Sequence, residues 1–97
     1  MPITRQIVSQ AKLRALFNEH IGANLEHGTY HREARSSRPA SLSSEPPGTL
    51  SVMFNILDEN YQRVALVHCY LRPDGTIGAT GKYDPKQLLL NGILYHL

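Results

Sequence analysis

Ninety-seven residues suit one domain of modest size, which buries about 60% of its unfolded surface on folding, and leave no room for a second. Hydrophobic residues at 41% and charged residues at 19% exclude a disordered chain and a supercharged one. Ten Lys and Arg against eight Asp and Glu give a net charge of +2, too mild by itself to point to nucleic acid.

The first predicted element is a helix from residue 4 to about 21. Thr4 can cap it, and neither Pro nor Gly interrupts before Gly22. Ile7, Ala11, Phe17 and Ile21 form its apolar stripe, while Leu13 and Leu16 lie off that stripe. Residues 28–47 are rich in Ser, Pro and Arg. Such composition resists helix and strand and reads as a long loop.

From Leu50 the pattern alternates: Leu50, Val52, Phe54 and Ile56 on one face, Ser51, Met53 and Asn55 on the other. That is a strand with one buried face. Asp58-Glu59-Asn60 is turn material, and Tyr61 to Leu71 is a second, central strand paired with the first. Arg72-Pro73-Asp74-Gly75 makes the next turn, and Thr76 to Gly81 a short edge strand weakened by glycine. Asp84-Pro85-Lys86-Gln87 has the form of a helix start, with a capping Asp, Pro at the first helical position and Gln at the third. Asn91-Gly92 then ends a short helix, and Ile93 to Leu97 returns as a final strand. The expected class is α+β: an N-terminal helix packed on an antiparallel meander of three or four strands, with a short helix before the C-terminal strand.

The lone Cys69 cannot form an internal disulfide, and no apolar run reaches the length of a signal peptide or a membrane span. Pro2 follows Met1, so the glycine needed for myristoylation is missing. The expected compartment is the cytoplasm, with no membrane partner and no cofactor.

His27 and His31 stand four apart, a spacing that joins two imidazoles to a metal only on a helix, which Gly28 disfavours; no metal site is expected. His68 and Cys69 resemble a base and its nucleophile, but neighbouring strand residues point to opposite faces and cannot meet. Residues 1–39 carry a surplus of three positive charges. Tyr30, Arg32, Arg35 and Arg38 in that stretch could meet phosphates and stack on unpaired bases.

Three functions compete. The preferred reading is a cytoplasmic, non-enzymatic binding module acting as a homodimer. Its motive is apolar residues outside any single face: Leu13 and Leu16, Met53 and Leu57, and the Leu88-Leu89-Leu90 cluster with Ile93 and Leu94. The alternative is a small ribonuclease, since a helix followed by an antiparallel meander is similar to the fold of small ribonuclease toxins, an analogy of fold only. Its candidate catalytic residues are His68, Tyr70 and Arg72, with the basic stretch as phosphate clamp. The third is a small-molecule pocket between helix and sheet, lined by Phe17, Phe54, Tyr70 and Tyr95.

Overall fold

The computed structural model describes residues 3–41, 44–78 and 81–97. Strand β1 (Thr4–Ile7) leads into helix α1 (Gln10–His20) and a 3-10 segment (Gly22–His27). Five strands follow: β2 (His31–Pro39), β3 (Leu50–Leu57), β4 (Arg63–Leu71), β5 (Asp84–Leu90) and β6 (Ile93–His96). They form one sheet in the order β1-β6-β5-β4-β3-β2. All neighbours are antiparallel except β1, which runs parallel to β6 with Thr4 opposite Ile93 and Ile7 opposite His96. The class is α+β, but the sheet is mixed and larger than the expected meander.

The helix starts at Ser9, not Thr4, and its hydroxyl accepts the Lys12 N–H at 3.1 Å. Residues 4–7 are drawn out of the helix by backbone pairing: the Thr4 N–H donates to the Gly92 carbonyl and the Val8 N–H to that of His96. Moving the start shifts the buried stripe. Leu13, Phe17 and Ile21 lie at i, i+4 and i+8 and are buried, whereas Ala11 is exposed and Ile7 is 75% exposed on β1. Leu13, expected off the stripe, is at its centre.

The expected loop at 28–47 is also corrected. Its first half is β2, an edge strand exposed everywhere but at His31. It pairs with β3 along its length, with a bulge between Ala34 and Ser36. Four arginines-or-glutamates and a terminal proline make such an edge unattractive to another strand: Arg32, Glu33, Arg35, Arg38 and Pro39. Residues 44–48 form turns and bends pinned by buried Thr49, whose hydroxyl donates to the Pro46 carbonyl at 2.7 Å; residues 42 and 43 lie outside the described ones.

The β3–β4 hairpin forms as its alternation predicts, closed by Asp58, whose carboxylate accepts the N–H groups of Asn60 and Gln62. The edge strand expected at Thr76 to Gly81 reduces to one bridge, Ile77 to Leu71; residues 79 and 80 lie outside the described ones. The short helix expected after Asp84 is strand β5. Pro85 is fully buried opposite Val67, beside a bulge in the β4–β5 ladder, where its missing N–H is tolerated. Asn91 and Gly92, at φ 49° and 79°, are a hairpin turn of the I′ kind joining β5 to β6.

Leu13, Phe17 and Ile21 pack with Ile56, Ala65, Val67 and Leu88 to form the core, flanked by Leu16, Phe54, Leu90 and Tyr95. Leu13, Leu16, Leu88 and Leu90 are thereby accounted for inside the domain. Alternation sends Met53, Leu66, His68, Tyr70, Leu89 and Leu94 to the opposite face, which α1 does not cover. Among the described residues no helix is long and apolar enough to cross a membrane.

Candidate functional site

Strand β5 begins at Asp84, opposite His68, while β4 continues to Leu71. Beyond His68 the ladder with β5 stops, and the end of β4 is bordered on that side by the Leu71–Ile77 bridge and by Gly78, whose N–H donates to the Tyr70 carbonyl at 2.7 Å. A cleft of 420 Å³, within the range of small-ligand sites, lies between the end of β4, Gly78, Lys82 and Tyr83, and Arg14 and Asn18 of α1.

Cross-strand register assembles the polar cluster beside it. Tyr70 faces Ser51, which faces Arg38; His68 faces Met53 on one side and Asp84 on the other. The Ser51 hydroxyl lies 2.7 Å from His68 Nε2. The Tyr70 ring stands edge-on to the imidazole, their centres 4.8 Å apart. Asp84 takes hydrogen bonds from Gln10 Nε2, from Lys86 Nζ at 3.0 Å and from Arg14 at 3.5 Å.

Burial pushes the pKa of His68 below its ordinary value of 6.5. The charge of Lys86 adds to this, Asp84 works against it, and Arg38 again lowers it. The imidazole is therefore neutral near pH 7, able to accept a proton. Burial pushes the Asp84 carboxyl up, but the hydrogen bond and charge of Lys86, with those of Arg14, outweigh it and hold the group below the usual carboxylate range. Ser51 and His68 have the separation of a nucleophile and its base. The carboxylate of Asp84, however, is committed to Gln10, Lys86 and Arg14 and does not orient the ring as the third member of a triad would.

His68 and Tyr70 are thus brought together, and Arg38 joins them from β2. Arg72 is not available: its Nε donates to the Glu45 carboxylate at 2.8 Å, and that carboxylate is only 3% exposed. Arg32 falls on the helix side of the sheet, its guanidinium 5.6 Å from the centre of the Phe54 ring and bonded to the Tyr83 hydroxyl. Arg35 sits at the β2 bulge, exposed. Phe17, Phe54, Tyr70 and Tyr95 do not line one pocket, because the first and the two flanking rings of Phe54 and Tyr95 belong to the core side and Tyr70 to the other face. His31 stacks on Tyr61 at 4.3 Å, and the side chain of His27 lies outside what is described. Cys69 is buried, and burial pushes its thiol up, toward the unreactive form.

Sequence reading missed Ser51, Asp84, Lys86 and Arg14. Ser51 could have been found by alternation from His68 once the hairpin register was known; the others depend on β5 being a strand. Compared with known proteins, the chain matches no family model, no curated protein and no solved structure.

Proposed function

We propose that the protein is a small RNA-cleaving enzyme acting in the cytoplasm, with His68 as its base. The observation that supports this most is a neutral imidazole set among Arg38, Lys86, Tyr70 and Ser51 at the mouth of a cleft that also carries Arg14 and Lys82. Cations around a proton acceptor suit an anionic substrate whose negative charge grows in the transition state. In this reading a phosphodiester lies against Arg38 and Lys86. His68 takes the proton of the ribose 2′-hydroxyl, the 2′-oxygen bonds to phosphorus, and the bond to the 5′-oxygen breaks as that oxygen takes a proton from Tyr70. The products are a 2′,3′-cyclic phosphate and a free 5′-hydroxyl, and His68 returns the proton to Tyr70 through water.

The test is cleavage of a fluorescent single-stranded RNA beside the same strand carrying 2′-deoxyribose throughout. Cleavage of the RNA alone, lost in His68→Ala, is the expected result. Cleavage of both strands would exclude the 2′-hydroxyl as nucleophile and overturn this mechanism, and cleavage of neither would overturn the proposal.

The non-enzymatic homodimer is kept as a second reading by one observation. Met53, Leu57, Leu89 and Leu94 remain partly exposed on the face that α1 leaves open. Light scattering on Leu89→Asp tests it: a dimer that becomes a monomer supports the interface, and a wild-type monomer at high concentration removes it.

A further inference from the structure

A second groove, of 670 Å³, runs on the helix side between α1, the 3-10 segment, β2 and the loop before β5. It shares Asn18, Lys82 and Tyr83 with the cleft at His68, so the two adjoin across one wall. Its floor is apolar and aromatic, from Phe17, Leu25 and Tyr30. Arg32 and Lys82, both exposed, stand at its rim, and none of the described residues lining it is acidic.

We propose that this groove seats the nucleotide adjoining the cleaved phosphodiester, its base on the aromatic floor and its phosphate toward Arg32 and Lys82. The inference rests on the reading of the neighbouring cleft as a phosphodiester site. Three features of the groove select this occupant. A base offers a flat apolar face that stacks on tyrosine, and stacking of this kind is a large share of single-strand affinity. The positive rim matches a phosphate and repels cationic ligands. The shared wall lets one strand span both, with Tyr83 between successive nucleotides. The Tyr83 ring is held edge-on to Phe54, centres 6.2 Å apart, and its hydroxyl by Arg32, so this partition is fixed before any ligand arrives and adds little ordering cost on binding.

Adenosine 5′-monophosphate and ribose 5-phosphate separate the base from the phosphate. Titrated into the wild-type protein and followed by NMR, the nucleotide should bind about tenfold or more tighter than the sugar phosphate, with the largest shifts at Tyr30, Arg32 and Lys82. Arg32→Gln and Lys82→Ala, both changes of exposed side chains, should weaken the nucleotide, while Arg35→Gln, at the exposed bulge of β2 and lining neither cleft, leaves its binding unchanged. Equal affinity for the two probes, or shifts confined to other surfaces, would overturn the inference. The two proposals fail separately. Cleavage of RNA with equal binding of both probes keeps the enzyme and removes the subsite, whereas base-dependent binding in the groove without cleavage keeps the subsite and removes the enzyme.

Discussion

The hydroxyl of Ser51 and Nε2 of His68, on neighbouring strands, stand 2.7 Å apart, although Ser51 faces Tyr70 across the ladder and not His68. The contact is diagonal. It fixes the imidazole against β3 and leaves the ring's neutral form with a hydroxyl partner that can donate to it.

A base whose pKa lies below 6.5 stays competent at lower pH than an ordinary histidine. The acid limb of kcat/KM for RNA cleavage should therefore fall below pH 6.5. Stability follows the same sign. The folded protein binds the His68 proton less readily than the unfolded chain, so this contribution is complete above about pH 6.5 and is lost as pH falls through the lower folded value. Urea unfolding of wild type and His68→Gln between pH 5 and 7.5 checks it: the slope with pH should be shallower in the variant.

Arg72 belongs to the scaffold. Its bond to the buried Glu45 carboxylate ties the 44–48 loop to the turn after β4, and a Cβ at Gly78 would come within 2.6 Å of that carboxylate. Arg72→Ala should leave the cleavage rate unchanged but speed proteolytic nicking between residues 40 and 49, read by mass spectrometry of a limited digest. A variant that folds normally, resists protease and loses cleavage would return Arg72 to the site.

Leu13 is wholly buried and Ala11 exposed on the same helix. Leu13→Ala should cost about 2–5 kcal/mol, and Ala11→Ser no more than about 0.5 kcal/mol. Chemical denaturation of the two variants separates a helix phased on Leu13, Phe17 and Ile21 from one phased on Ile7 and Ala11.

The Asn91-Gly92 turn depends on two left-handed residues, at φ 49° and 79°. Gly92→Ala should lose about 1–2 kcal/mol, because a Cβ is strained there. Asn91→Gly should be tolerated within about 0.5 kcal/mol. Thermal melts of both variants decide whether this turn, and not a helix end, closes the chain.

The central hairpin was legible because β3 and β4 each bury one face or both, so their apolar alternation is printed in the residues themselves. The same alternation put His68 and Tyr70 together. Strand β2 was not legible: it buries nothing, and what makes it a strand is the ladder with β3, which no local pattern records. Strand β1 is short and exposed for the same reason. The Asp84-Pro85-Lys86-Gln87 run misled because a capping pattern is local, while the buried position of Pro85 and the placement of Leu88 in the core are tertiary. Lys86 and Asp84 entered the cluster only through the register of that strand, and Arg14 only through the corrected phase of α1.

The parallel pairing of β1 with β6 joins residues 4–7 to residues 93–96. During synthesis, Thr4 is made 89 residues before its partner Ile93, so β1 remains an unpaired strand until β6 has followed it. Leu13 likewise has no Leu88 to pack against until β5 is made. The β3–β4 hairpin can form first, as a local unit, but helix seating waits for β5 and pairing of β1 waits for β6. Ribosomes stalled before β6 should thus carry a nascent chain in which residues 4–7 are open to chaperones and proteases, and emergence of β6 should close them in one cooperative step.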